Sequence, residues 1–361
     1  MEIVNLKLLN FRNYKKLELN FSPNKNIIIG KNGMGKTNIV EAIYVLALTK
    51  SFRGQTDMVL INSQENLLRI EGDIKSSFID SYKVIISKDD KRVKINNNRI
   101  KRLSDYVSKI NIILFSVDDL KIIKDTPSTR RKLINIELSQ MNNQYLNLLN
   151  TYNKLVKQRN AYLKTLMLNS YASRSYLDVM TDKIIDLGIE IFSYRKKFID
   201  NINEIIEDIY YKISKSSDLK VVYQSDYAIT KEQIKEKYKY YEQKDINFGK
   251  THFGIHHDDF IFYKNESNLK DYGSEGEQKN AVISFKLAEL ELFKKEKGEN
   301  PILILDDLFS ELDKEKINNI LGYISEEVQT FITTTELNKI KKSVLKNSKI
   351  FKVTNGRVEE L

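Results

Sequence analysis

The sequence predicts an α/β fold: a P-loop ATPase lobe that carries an antiparallel β-meander and is interrupted by an inserted, mostly helical second lobe. Three observations predict it. A short apolar strand, Ile27-Ile28-Ile29, runs straight into a glycine-rich loop, and the loop runs into a segment at 38–48 where Ile39, Ala42, Ile43 and Leu46 recur at helical spacing. Segments 67–74, 82–87 and 92–95 alternate apolar and polar residues, with Asp89-Asp90 and Asn96-Asn97-Asn98 as turns between them. From Asp118 to about residue 215 glycine almost vanishes, and Leu146, Leu149, Tyr152, Leu155, Val156, Leu163 and Leu166 mark one face of a long helix.

The other elements follow in order. Ile3-Val4-Leu6-Leu8 and Leu17-Leu19-Phe21 read as two strands joined through Arg12-Asn13-Tyr14, and 110–115 is strand-like, after which the character of the chain changes. Strand character returns at 219–223 and 260–263 and is followed by a helix over about 276–295. Apolar strands come next at 302–305 and 331–333, then a hairpin of 350–353 with Arg357-Val358. These assignments divide the chain into a first part of the ATPase lobe (1–117), a helical insertion (118–250) and the rest of the ATPase lobe (251–361). The three prolines, Pro23, Pro127 and Pro301, lie at the edges of hydrophobic runs, so no flexible linker separates the parts.

Composition narrows the function. A formal charge of +10 favours an anionic partner, with compositional bias as the alternative source, since lysine, asparagine and isoleucine are used heavily throughout. With no cysteine there are no disulfides, thiolate metal sites or cysteine nucleophiles, which suits a reducing cytoplasm. The first residues show no signal peptide, and no apolar run reaches the roughly eighteen residues of a membrane span, so a soluble, cytoplasmic protein is expected.

Gly30-Lys31-Asn32-Gly33-Met34-Gly35-Lys36-Thr37 satisfies the pattern G-x-x-x-x-G-K-[ST] between a strand and a helix. Backbone N–H groups of such a loop point at phosphate oxygens, Lys36 supplies charge to the β and γ phosphates of ATP, and Thr37 offers its hydroxyl to Mg2+. Pro301-Ile302-Leu303-Ile304-Leu305-Asp306-Asp307 is an apolar strand that ends in carboxylates, which makes Asp306 the metal partner. Asp307 stands where a glutamate usually orients or deprotonates the attacking water, so Asp307 and Lys36 are the catalytic candidates, and the shorter side chain suggests slow hydrolysis.

Gly273-Ser274-Glu275-Gly276-Glu277-Gln278 resembles the signature sequence of ABC-type ATPases, in which a serine and a glycine open a helix toward a γ-phosphate. Read locally, Ser274 and Glu277 also form a capping box, and both readings can hold together. In that family the signature serves the ATP of a second subunit, which assigns Ser274 and Gly276 to the partner's nucleotide. Ser310-Glu311-Leu312-Asp313 follows where these ATPases place a loop that contacts the second subunit.

The whole chain resembles the RecF family of bacterial recombinational repair proteins, which are ATPases like the heads of Rad50 and SMC proteins. The residues that carry this are Leu9-Asn10-Phe11-Arg12-Asn13-Tyr14, Gly35-Lys36-Thr37-Asn38, Leu48-Thr49-Lys50-Ser51-Phe52-Arg53, Phe115-Ser116-Val117-Asp118-Asp119-Leu120, Pro127-Ser128-Thr129-Arg130-Arg131, 254–259, 273–278 and the run from Asp306 to Asp313. The resemblance implies an ATP-dependent homodimer that binds single-stranded and gapped duplex DNA. It also implies weak DNA-stimulated ATP hydrolysis used as a switch, and work with RecO and RecR in loading RecA during replication, recombinational repair and the SOS response. No membrane partner is implied.

The chain departs from the family pattern at several positions. Gly254-Ile255-His256-His257-Asp258-Asp259 replaces Gly-Pro-His-Arg-Asp-Asp, proline is missing at Val117, and Glu277 and Lys279-Asn280 stand where glutamine and arginine-threonine are common. Thr333-Thr334-Thr335 lacks the histidine with which many ABC ATPases sense γ-phosphate, and Thr334 is the candidate substitute. His252, His256 and His257 fall within six residues, a spacing weighed as a zinc site, but Gly254 and the aromatic flanks argue against the helix it would need. Arg53, Arg130 and Arg131 are the candidate DNA contacts, with a solvated surface as the alternative. The nucleotide subunit of a membrane transporter shares loop, signature and aspartate strand, but it has only a small helical subdomain between loop and signature, whereas this chain has a meander and a long helical lobe. A structural chromosome-associated head would need a far longer coiled coil than two helices of some forty residues, about 60 Å, provide. A nuclease-linked ATPase would need an acidic metal cluster, and none follows Asp313.

Overall fold

The computed structural model describes residues 1–54, 56–169 and 171–361. The chain forms two compact units: Met1–Lys121 with Asp208–Ser216 and Lys279–Leu361, and Ile122–Glu207 with Ser217–Gln278.

The first unit holds two sheets. One has six strands in the order Arg357–Glu360, Ser348–Thr354, Lys25–Ile29, Thr330–Thr334, Ile302–Asp306, Ile112–Ser116, all parallel neighbours except the terminal hairpin. Ile302–Asp306 is buried along its whole length because it has parallel neighbours on both sides and is covered on both faces, hence its unbroken apolar run. The other sheet is antiparallel, in the order Tyr14–Asn20, Asn5–Phe11, Leu67–Lys75, Ile79–Ser87, Lys91–Ile95, Asn98–Ile100, with Glu2–Ile3 beside Leu67–Lys75. Its strands alternate buried and open residues, the pattern of a sheet with one solvated face. Helix Lys36–Leu48 touches strands of both sheets and is buried nearly all round, so it is apolar well beyond the one stripe seen in the sequence.

In the second unit, helices Pro127–Met141, Asn143–Leu168 and Lys231–Phe248, with most of Arg174–Ser214, accompany a three-stranded sheet of Leu219–Gln224, Asp259–Lys264 and Ser267–Asn268. Local chemistry sets the helix ends. Pro127 opens the first, the Asn142 side chain accepts from the N–H groups of Gln144 and Tyr145, and Thr230 with Gln233 forms a reciprocal capping box. Gly249, at φ 59°, ends Lys231–Phe248 in the left-handed conformation that glycine adopts without strain.

Two expectations change. The return to the first unit comes at Lys279 rather than at 251, because Asp259–Lys264 pairs with Leu219–Gln224 and so stays with the second unit. Helices Lys231–Phe248 and Lys314–Tyr323 were not anticipated. The first buries only Ile234, Tyr238, Asp245 and Ile246, a stripe too thin to stand out among lysines and tyrosines. Among the described residues no helix is long and apolar enough to cross a membrane.

Candidate nucleotide site

The loop of 30–37 lies between strand Lys25–Ile29 and helix Lys36–Leu48. Gly30 donates its N–H to the Thr334 carbonyl at 3.3 Å, and a Cβ there would fall 2.4 Å from the carbonyl oxygen of Val353, so any side chain would displace the neighbouring strand. Gly35 stands at φ 110°, a conformation that side-chain-bearing residues avoid, packed against Asn13 and Tyr14. The Tyr14 hydroxyl donates to the Gly35 carbonyl at 3.1 Å, which ties the first hairpin to the loop. Lys36 curls back over the loop, its ammonium donating to the Lys31 carbonyl at 3.1 Å and to Asn32 Oδ1 at 3.4 Å. Burial lowers the pKa of Lys36, and Asp307 and Asp306 oppose that shift, so the ammonium lies within the field of the strand-end carboxylates.

Asp306 is 7% exposed and directly opposite Thr333 in the parallel ladder. The Thr333 hydroxyl donates to Asp306 Oδ1 at 2.7 Å, and the Thr37 hydroxyl is a second hydrogen-bond partner of the carboxylate. Burial raises the Asp306 pKa while these two hydrogen bonds oppose the rise. A buried carboxylate held by hydroxyls, with the threonine of the phosphate loop beside it, is an all-oxygen donor set suited to a hard divalent cation such as Mg2+. Asp307 takes φ 52° and donates its N–H to Thr333 Oγ1 at 2.8 Å, so one threonine fixes both aspartates. Sequence reading missed Thr333. The ladder register that places it opposite Asp306 is a tertiary fact. The Thr334 hydroxyl in fact donates to the Glu336 carbonyl at 2.9 Å and accepts from the Glu336 N–H at 3.2 Å, which engages it in a local turn.

A second feature the sequence did not announce is Glu41, fully buried on helix Lys36–Leu48. Arg12 grips it with two hydrogen bonds, at 2.9 and 2.7 Å, Ser51 donates to it at 2.6 Å, and Arg53 lies 3.6 Å away. Arg53 also donates to Asn38 Oδ1 at 3.2 Å and keeps about a third of its side-chain surface open. Two basic motif residues thus converge on the helix that follows the phosphate loop. The signal available was Glu41 five residues after Lys36, with two separate arginine motifs in need of an anion.

In the second unit Ser274 opens helix Glu275–Lys297 as a capping box: Glu277 Oε2 accepts from the Ser274 N–H and hydroxyl, both at 2.9 Å, and the Glu277 N–H donates back at 3.3 Å. The Lys264 ammonium at 2.7 Å and the Ser274 donors pull the Glu277 pKa down to about 2. Gly276 has open space where a Cβ would stand. Asp313 caps helix Lys314–Tyr323 through the Lys316 N–H at 2.8 Å.

One of the candidate DNA contacts is differently employed. Arg130 is buried, its guanidinium paired with both oxygens of Asp259 at 2.7 and 2.8 Å and donating to the carbonyls of Ile122, Ile123 and Asp125. This corrects its reading as a DNA contact, since a buried arginine spent on five protein acceptors serves the fold. Arg131 donates to the Asp258 carbonyl at 2.7 Å. The histidines have protein partners as well: His252 Nδ1 meets Asp245 at 2.9 Å, and His256 meets the Tyr152 hydroxyl at 2.8 Å and the Thr251 carbonyl at 3.3 Å.

With phosphate loop, paired aspartates and capped signature helix in place, the chain can be set beside known proteins. The family model described as RecF/RecN/SMC N terminal domain matches residues 2–359. DNA replication and repair protein RecF of Halalkalibacterium halodurans is 39% identical over the full length of both chains, and that of Listeria monocytogenes 37%. The chain belongs to the RecF family. A solved structure described as the recombination mediator protein RecF-ATPrS in the RecFOR pathway is 28% identical, covers 100% of this chain and 98% of its own, and superposes with a TM-score of 0.92. The Smc head domain of Pyrococcus furiosus, at 17% identity and a TM-score of 0.55, shares the fold. The expected ATPase-lobe fold is therefore the observed one.

Proposed function

We propose that this RecF-family chain binds ATP with Mg2+ at the loop of 30–37 and uses it to join two copies of itself on DNA. The observation that carries the reading is the meeting of Thr37, Asp306 and Thr333 at the strand end beside Lys36. Support comes from a relative of nearly identical fold solved with ATPrS. Lys36 and the loop amides would hold the phosphates, and Thr37 and Asp306 would hold the metal, which when bound supplies positive charge to the β and γ oxygens. Asp307 would orient the attacking water. Its short side chain keeps hydrolysis slow, so the nucleotide acts as a timer. Ser274 and Gly276, open at a helix start, suit contact with the γ-phosphate held by the other copy. On this reading the switch works in replication and repair, at single-stranded and gapped duplex DNA, with RecO and RecR as partners and RecA loading as the outcome, in the cytoplasm.

Sedimentation with and without ATP tests the reading. Lys36→Met should abolish the ATP-dependent dimer, and a dimer that persists would refute the role given to the loop. Ser274→Arg should leave ATP affinity of the monomer intact while blocking the dimer; loss of ATP affinity in the monomer would show that the signature does not act on a second copy.

A further inference from the structure

The solvent face of the seven-stranded sheet carries a row of directly opposed charges. Reading across the strands, Glu18 faces Lys7, Lys7 faces Glu71, Glu71 faces Lys83, Lys83 faces Lys94, and Lys94 faces Arg99. Over the first four strands the signs alternate and the ions pair: Lys7 with Glu18 at 2.6 Å and Lys83 with Glu71 at 3.0 Å. At Lys94 the alternation stops. The last three strands present Lys83, Arg92, Lys94 and Arg99 outward and no carboxylate, while Val84, Val93 and Ile100 form the opposite row. Asp90, in the adjoining turn, is held by Arg92. Among the described residues neither Lys94 nor Arg99 makes an ion pair within 4 Å, and the one carboxylate whose field reaches Arg99 is Asp90, which Arg92 already holds.

Like charges directly opposite one another destabilise a sheet, and the same face shows that this chain places carboxylates between its cations where nothing else requires them to be absent. Lys94 and Arg99, which make no ion pair, stand on adjacent strands at one edge of this face, flanked by Lys83 and Arg92. A flat cluster of arginine and lysine matches a regular polyanion, whose neutralisation releases counterions. No aromatic residue occupies an outward strand position in this cluster, so it lacks the stacking platforms by which single strands are held.

We propose that the outer face formed by Ile79–Ser87, Lys91–Ile95 and Asn98–Ile100 docks the phosphate backbone of duplex DNA, without reading its sequence. The proposal rests on the nucleic-acid reading of the preceding subsection and gives it a surface. It predicts that Lys94→Glu with Arg99→Glu, in the full chain, weakens duplex binding about tenfold or more near 0.1 M salt and lowers the slope of log K against log salt by about two. Lys15→Glu with Lys16→Glu, an equal change of net charge on the first hairpin, should leave both quantities close to those of the unaltered protein. Binding of a short duplex across a salt series decides it, with ATP affinity measured in parallel to show that each variant is folded. If the unaltered protein binds duplex and the Lys94/Arg99 variant binds equally well, or if the two double variants lose binding equally, the surface is refuted while the wider reading stands. If the unaltered protein binds no duplex with or without ATP, the wider reading falls first.

Discussion

At the scale of single residues, Thr333 links the two aspartates. Its hydroxyl accepts from the Asp307 N–H and donates to Asp306, so its orientation is fixed by both. Thr333→Val keeps shape and burial but leaves the Asp307 N–H without its acceptor and Asp306 with one hydroxyl fewer, a loss on the order of 1–3 kcal/mol. ATP hydrolysis at saturating magnesium should fall about tenfold or more with ATP binding retained; an unchanged steady-state rate would reduce Thr333 to packing. His256 gives a pH prediction of definite sign. Burial, reinforced by neighbouring His257, lowers its pKa from the ordinary 6.5 to about 4. Because the folded-state value is depressed, the unfolded chain takes up the proton first on acidification. The stabilisation is complete above pH 6.5 and is lost as pH falls toward 4. His256→Asn should flatten that part of the stability curve by about 3 kcal/mol, read as the difference between variant and parent in urea melts from pH 7 to pH 4.

At the scale of elements, the second unit is locked by buried charge. Arg195, on helix Arg174–Ser214, donates to the Ile255 carbonyl at 2.7 Å, to Asp258 at 3.3 Å and to Asn135 at 3.0 Å, and Tyr223 also bonds Asp258. A long helix, the segment before strand Asp259–Lys264 and the strand Leu219–Gln224 therefore share one fully buried guanidinium. Removing one partner of such a pair leaves an uncompensated buried charge, so Arg195→Met should cost about 3–5 kcal/mol. Pairing it with Asp258→Leu should recover much of that loss, and chemical denaturation of the two single variants and the double variant measures the coupling. Additive costs would mean that the pair is not energetically linked. Arg159 with Asp245 and Thr251, at 2.7 and 2.8 Å, repeats the arrangement between helices Asn143–Leu168 and Lys231–Phe248. These networks run through the segment 254–259: Ile255 contributes a carbonyl and a buried side chain, and Asp258 and Asp259 hold arginines of their own unit.

At the scale of the whole molecule, nucleotide and fold are coupled by mass action. ATP with magnesium at about a hundred times its dissociation constant would add about 2.7 kcal/mol to the folded form that binds it. That gain belongs to the first unit, which contains the loop and both aspartates. Calorimetry should therefore show a transition that moves up with ATP and magnesium, and Lys36→Met should remove the shift. A shift that survives in the variant would place the bound nucleotide elsewhere.

Much of this molecule was legible without coordinates. The strand, loop and helix of 27–48, the aspartate strand at 302–306, the capping box at Ser274 and the meander are local features, set by spacing, glycine conformation and apolar runs within a few residues of chain. Tertiary structure decided what depends on partners far apart in sequence. It brought Thr333 to both aspartates because parallel register sets Thr333 opposite Asp306. It turned Arg130 inward because Asp259, distant in sequence, offers both carboxylate oxygens. It gathered Arg12, Ser51 and Arg53 around Glu41, and it lined up Lys83, Lys94 and Arg99 across three strands. A sequence states which side chains are charged and how they recur along one element. Which charge meets which is fixed only when strands pair and helices pack, because burial makes an unpaired ion costly and so selects the arrangement that pairs it.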